Sequence, residues 1–447
     1  MAENKLPTKV LVMYGIGCLG WSIGLNIVSA LLNYLYLPPS NSGLHGLIPD
    51  KVWLGFVSII SIILFTGRGL DAVIDPLISN FTDKSQSRIG RRIPFMRVAF
   101  IPLSICCALI FLPIHSRVSQ ANIYWLAGTQ FLFYFFYGLY TIPYNALLAD
   151  MGHDDKMKIN LSTAQSVGFM VGATLSAGST MIVKLILDAG ITHDRFAAYQ
   201  YTIVGLNVIA MACLAVPAFG IDEKKYSQGH VSTGGVFSSL MVTLKNSNFR
   251  IFALADASYF MSIAIISTGL LFYIKSMLKL DESIGSLFML GMVAITIIFY
   301  ALVNWLGTKI SKKRMMIASF AVAAVVFSEI AFLGKIHISP YIQATILVVS
   351  FGIPNAFLQI LPTAVMADIT HDSHSSTQDA ESTAGMYFGM RAFFQKIGQT
   401  GGITLFAMLT VFGKDPGHDL GLRLSGVAGA CLCAFSSLIY IRYKEKK

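Results

Sequence analysis

Apolar runs of about 20 residues, separated by short polar turns, recur along the whole chain, and no other feature narrows its fold so far. They lie near residues 9–37, 51–80, 95–114, 120–150, 160–187 and 199–220, and again near 249–277, 283–309, 314–333, 340–369, 381–412 and 421–442. Hydrocarbon offers no water to bond a bare backbone N–H or C=O, so a spanning run must close its hydrogen bonds within itself as a helix. A β-barrel would alternate apolar and polar residues in segments of about ten, and none are visible. With 55% hydrophobic and only 13% charged residues, a soluble globule is excluded. The expectation is an all-α membrane protein with twelve transmembrane helices.

The longest polar stretch, IDEKKYSQGHVSTGGVFSSLMVTLKNSN, separates the sixth run from the seventh. It divides the chain into an N-terminal six-helix bundle (1–220), a cytoplasmic loop (221–248) and a C-terminal six-helix bundle (249–447). An internal repeat points to the same division. The fourth run ends PYNALLADMGHDD and the tenth LPTAVMADITHDS, so Asp150 and His153 match Asp368 and His371. The basic turn after the second run, DKSQSRIGRR, has a fainter partner after the eighth, GTKISKKRMM. Two pseudo-symmetric halves related by a parallel repeat are the architecture of a rocker transporter, with its solute site near the bilayer midplane.

A net charge of +10 raises the question of nucleic acid, but the bases sit in short turns and form no extended patch. They act as an orientation signal instead. Most of the 33 Lys and Arg residues fall on one side of the twelve crossings, which places both termini in the cytoplasm. The six cysteines lie inside apolar runs and suit packing, not a disulfide framework or a metal site. The opening MAENKLPTKVLVMYGIG reads as a retained first helix.

Ionised residues inside the runs are the candidates for chemistry. In GRGLDAVIDP, Arg68, Asp71 and Asp75 share one helical stripe, because offsets of three and four bring residues to the same face. Charges in a span are costly and persist where they face a bundle interior or a water-filled cavity. Arg68 offsets one carboxylate and leaves the other to a cation; the plainer reading is a packing salt bridge to arginines. In the eleventh run, Lys396 either pairs with those acids or stands between cation and solute. Arg391, on another face, is expected to pair with Asp368 or Asp372, and Asp256 in the seventh run either lines the cavity or caps the inner end. At the inner ends, Asp83, Arg88, Arg91, Arg92, Asp150 and Asp368 form opposed charges of the kind that latch one state of a gate. Orientation alone explains the bases but not the repeated acids.

Three strings resemble a known family. The basic turn is similar to the loop signature of the major facilitator superfamily. RGLDAVIDPLISNFTDKSQSRIGRRIP, TIPYNALLADM and AESTAGMYFGMRAFFQKIGQTGG resemble the glycoside-pentoside-hexuronide cation symporters typified by melibiose permease, whose second helix carries D-A-x-x-D-P. The resemblance implies the major facilitator fold and Na+- or H+-coupled symport of a small organic solute, a sugar or glycoside, by alternating access. Carried over residue by residue, it implies that Asp71 and Asp75 bind the coupling cation and that Lys396 lies between the cation and sugar sites. The chain departs from the pattern at Ser22, where the first helix of the family has an acid, at Thr141, where the fourth has a sugar-binding aspartate, and at Gln165, where the fifth has an arginine. An uncharged Ser22 weakens the cation cage and brings proton coupling level with sodium.

The expected solute site comprises Thr141, Tyr144, Asn145, Gln165, Trp21, Asn26 and Lys396, since aromatic faces beside amides suit sugar stacking and hydroxyl recognition. The same rings serve equally for packing. Animal members of the family move lysolipids, so a lysolipid or other amphipathic solute is the alternative cargo. No P-loop, HExxH, nucleophile elbow or dinucleotide fingerprint occurs, which argues against an enzyme and for no cofactor beyond Na+ as a coupling ion. The expected partners are a small-molecule solute, a coupling cation and the lipid bilayer, without nucleic acid. The expected setting is a monomer, multi-pass in a bacterial inner membrane.

Overall fold

The computed structural model describes residues 6–445 apart from 54, 56, 84, 86, 153–154, 227–242, 308 and 375–379. The side chains of 53, 70–73, 76, 79–80, 83, 149, 155–156, 158–159, 304, 367, 371–374 and 380–386 lie outside that description as well. Among the described residues there are twelve helices of 18 residues or more. They are α1 (Thr8–Tyr36), α2 (Ile59–Asp83), α3 (Ile93–Ile110), α4 (Gln120–Met151), α5 (Asp155–Ala177, continued by Ser179–Asp188) and α6 (Arg195–Gly220), then α7 (Ser247–Phe272), α8 (Ser283–Gly307), α9 (Lys312–Glu329), α10 (Pro340–His374), α11 (Ala380–Leu409) and α12 (Leu420–Tyr440). Among the described residues, nine are long and apolar enough to cross a membrane by length and composition. The other three, α2, α4 and α11, are those in which the sequence places most of the candidate polar residues. Side chains set several of the helix starts. Ser119, Asp194, Asn246 and Ser311 accept hydrogen bonds from first-turn N–H groups of α4, α6, α7 and α9.

The chain divides into two compact units, unit 1 (Met1–Pro38, Gly43–Pro49, Thr66–Thr233) and unit 2 (Pro39–Ser42, Asp50–Phe65, Gly234–Lys447). Within unit 1, α1 packs on α5 and α6, and α3 on α4 and α6; within unit 2, α7 packs on α11 and α12, and α9 on α10 and α12. The pairing repeats six helices apart. Glycines make the closest of these contacts. A Cβ at Gly168 or Gly172 of α5 would strike the carbonyl oxygens of Gly15 or Leu19 on α1, and one at Gly398 or Gly402 of α11 those of Ala257 or Met261 on α7. Small residues at i and i+4 let membrane helices approach backbone to backbone.

The sequence division assigns all of 1–220 to one bundle, whereas Pro39–Ser42 and Asp50–Phe65, the latter reaching into the start of α2, group with unit 2. There the hairpin of β1 (Val52–Trp53) and β2 (Val57–Ser58) pairs antiparallel. Nearby, Ser40 N–H donates to Asp415 Oδ1 at 2.6 Å, Asn41 Nδ2 donates to the Lys275 carbonyl at 2.7 Å, and Lys414 lies 3.4 Å from Asp50. An apolar run carries no mark of its partner, so composition gave no sign of this grouping.

Candidate functional site

In unit 1, Arg68 and Asp75 are half-buried on α2, while the side chains of Asp71 and Asp83 lie outside the described residues. Asp75 beds against α4. A Cβ at Gly138 would stand 3.5 Å from Asp75 Oδ1, an ordinary contact, and 3.2 Å from Ile78, a tight one. Two turns earlier on α2, a Cβ at Gly67 would come within 2.7 Å of the Gln130 amide. Gln130 is fully buried, and its amide nitrogen and oxygen have no hydrogen-bond partner among the described residues.

The solute residues expected on α1, α4 and α5 are mostly committed to one another. Tyr14 and Tyr144 stack at 4.3 Å, and each hydroxyl donates to the backbone carbonyl of the other's residue, Tyr144 at 2.6 Å and Tyr14 at 3.2 Å. Trp21 packs edge-on against Tyr137 and Tyr144. Ser22 is fully buried; its hydroxyl donates to the Phe169 carbonyl at 2.8 Å and accepts from Asn26 Nδ2 at 3.1 Å. Thr141 donates to the Tyr137 carbonyl one turn back at 2.8 Å, so its hydroxyl is satisfied within α4. Gln165 Nε2 donates to Asn145 Oδ1 at 2.7 Å, an uncharged bridge from α5 to α4.

The inner end of unit 1 joins several residues of the basic turn to the repeated acid. Arg92 Nε lies 3.3 Å from Asp150 Oδ2 and Arg91 Nη2 3.6 Å from it, and Arg92 Nη1 donates to Thr82 Oγ1 at 2.9 Å. Arg88 is exposed. The sequence reading missed Glu223, in a one-turn helix (Glu223–Tyr226) at the start of the central loop. Its buried carboxylate accepts from the backbone N–H groups of Arg91, Arg92 and Ile93 at 2.8, 2.9 and 3.0 Å, which places a negative charge on the N-terminus of α3. Gly90 has φ +122°, and any Cβ there would collide with that carboxylate. The available signal was an acid in IDEKK beside a basic turn, too common a pattern to single out.

In unit 2 the repeated acid finds a matching base. Lys312, at the start of α9, lies 2.7 Å from Asp368 on α10. Arg391 therefore has a partner other than the expected Asp368; its Nε donates to Asp256 Oδ2 on α7 at 2.9 Å. Gln395 Nε2 donates to the same oxygen at 2.9 Å, and Arg391 Nη1 reaches Thr363 Oγ1 on α10 at 3.3 Å. Asp256 is 1% exposed, more than two turns inside α7, so it does not cap the helix. Its second oxygen, Oδ1, is buried with no donor among the described residues. An unmatched buried acceptor costs about 1–3 kcal/mol, and more when charged. Lys396 is half-buried on α11, five residues beyond Arg391. His153 and the side chains of Asp154, His371 and Asp372 lie outside the described residues. Among those described, no group of three or more His, Cys, Asp or Glu is placed to hold a metal ion.

Residues 53–420 match the family model described as MFS/sugar transport protein. The chain belongs to that family. It is a multi-pass integral membrane symporter of the melibiose-permease-like branch, coupled to a cation. Over 423 residues it is 22% identical to the sodium-dependent lysophosphatidylcholine symporter 1-A of Danio rerio, covering 86% of this chain and 78% of that protein. It is also 18% identical to the isoprimeverose transporter of Lactiplantibacillus pentosus, over 72% of this chain and 64% of the other. Its fold matches the solved inward-facing, unoccupied form of a bacterial homologue of the human lysosomal transporter Spinster, with TM-score 0.68 at 12% identity, over 98% of this chain and 97% of that one.

Proposed function

We propose that this symporter moves a sugar or glycoside together with Na+ or H+ by alternating access, with Asp71 and Asp75 holding the coupling cation. The observation that carries this reading is Asp75, half-buried against Gly138 of α4 on a helix whose sequence also holds Arg68 and Asp71. Carboxylate oxygens suit a hard monovalent cation, and either acid can instead carry a proton. Occupation cancels the surplus charge, which lowers the cost of enclosing the acids and raises solute affinity. Lys396 links the cation to the solute. The Arg92–Asp150 and Lys312–Asp368 pairs act as inner latches. The protein works as a monomer in a bacterial inner membrane with both termini cytoplasmic.

A lysolipid is the second reading, favoured by the extent of the match to the lysophosphatidylcholine symporter. Uptake into proteoliposomes, with sodium and pH gradients imposed separately and a panel of labelled glycosides, uronides and lysolipids, decides both cargo and ion. Accumulation of a labelled solute against its gradient in Asp71→Asn and Asp75→Asn variants would rule out the assigned cation site.

A further inference from the structure

In unit 1 the positions where the family resemblance places a sugar-binding acid and base hold Thr141 and Gln165, and both are neutral and hydrogen-bonded. Unit 2 holds charge at the matching level. Alignment of Asp150 with Asp368 brings Asn145 onto Thr363, and alignment of Gly168 with Gly398 brings Gln165 onto Gln395. In unit 1 the two amides bond directly to each other. In unit 2 the corresponding Gln395 and Thr363 are joined through Asp256 and Arg391.

We propose that the Asp256–Arg391 couple, with Gln395, is the solute-recognition site of unit 2, and that it takes adjacent hydroxyls of a neutral glycoside. Three observations select that chemistry. Arg391 is already neutralised by Asp256, so the couple has no net charge to attract an anion. Among the described residues Asp256 Oδ1 lacks a donor, which a sugar O–H supplies; a trimethylammonium group has no N–H or O–H to offer it, and a lysolipid carries a single glycerol hydroxyl instead of an adjacent pair. Arg391 reaches Thr363, which with Gln359 and Asn355 forms a polar stripe at four-residue spacing on α10; Gln359 and Thr363 are exposed and Asn355 is half-buried. On a membrane helix such a stripe lines aqueous space in preference to lipid. Asp256 and Gln395 hold the guanidinium in place. A diol accepts from Arg391 and donates to Oδ1.

This inference rests on the glycoside reading, and the experiment separates their failures. Wild-type protein in proteoliposomes is tested for uptake of methyl glucoside, methyl galactoside and methyl xyloside, with phenyl glucuronide and lysophosphatidylcholine as contrasts. Asp256→Asn and Arg391→Gln are each expected to raise KM for the transported methyl glycoside about tenfold or more, and Gln395→Ala, which leaves the ion pair intact, about threefold. All three should keep the wild-type shift in melting temperature on replacing choline chloride by NaCl or on lowering the pH, which shows that unit 1 is folded and loaded. Wild-type KM in the Asp256 and Arg391 variants overturns the site while leaving glycoside transport standing. Transport of lysophosphatidylcholine but no methyl glycoside by the wild type overturns both.

Discussion

At the inner end of unit 1, Arg92 and Asp150 pair at 3.3 Å with 7% of each side chain exposed; at the matching place in unit 2, Lys312 and Asp368 pair at 2.7 Å with 42% and 47% exposed. The shorter pair is the weaker, because water screens it and two mobile side chains must be held still. The longer one is shielded and also tied to Thr82, while Glu223 fixes the backbone of the turn that carries its arginine. Deeper in the membrane the contrast reverses. Unit 1 bridges α4 and α5 with neutral amides, while unit 2 joins α7 and α11 through a buried ion pair. One scaffold thus holds two charge distributions: unit 1 firm at the end that carries the repeated acid, unit 2 loose at the matching end and charged within.

The largest expected effect tests the acids of α2. Asp75→Asn should abolish cation-driven accumulation in proteoliposomes while leaving downhill solute exchange, since the amide keeps the shape against Gly138 but loses the charge. Next comes the shielded pair. Asp150→Ala removes the shielded carboxylate that Arg91 and Arg92 share and should destabilise the protein by about 3–5 kcal/mol, read as a lowered melting temperature in detergent. Glu223→Gln keeps an acceptor for the α3 N–H groups but removes the charge, and should cost about 1–2 kcal/mol by the same melt. The smallest effect belongs to Asp368→Ala, about 0–1 kcal/mol, reduced further by raising the salt concentration. If Asp368→Ala proved as costly as Asp150→Ala, the contrast drawn between the two inner ends would be wrong.

Much of this was legible beforehand. The repeat that aligns Asp150 with Asp368 identified two acids that meet bases at the start of the third helix in each half. The acidic stripe expected on α2 from offsets of three and four includes Asp71, whose side chain lies outside the described residues. The partner of Arg391 did not follow, because Asp256 lies 135 positions away and only the packing of α7 on α11 brings them within 2.9 Å. The glycine pairs on α5 and α11 were visible as letters, yet nothing local showed that each meets a carbonyl of another helix. Ser22 and Thr141 were read as site residues from their positions, and the structure shows both hydroxyls committed to backbone carbonyls.

The sequence alone determined that this chain crosses a membrane as helices, in two related halves, with carboxylates retained on the second helix. Those properties depend on transfer from water and on spacing along one helix, and both are local. The tertiary structure decided which charges are neutralised and which are shielded. Pairing energy depends on distance and on the water excluded around it, and residues far apart in the chain acquire both only when their helices pack.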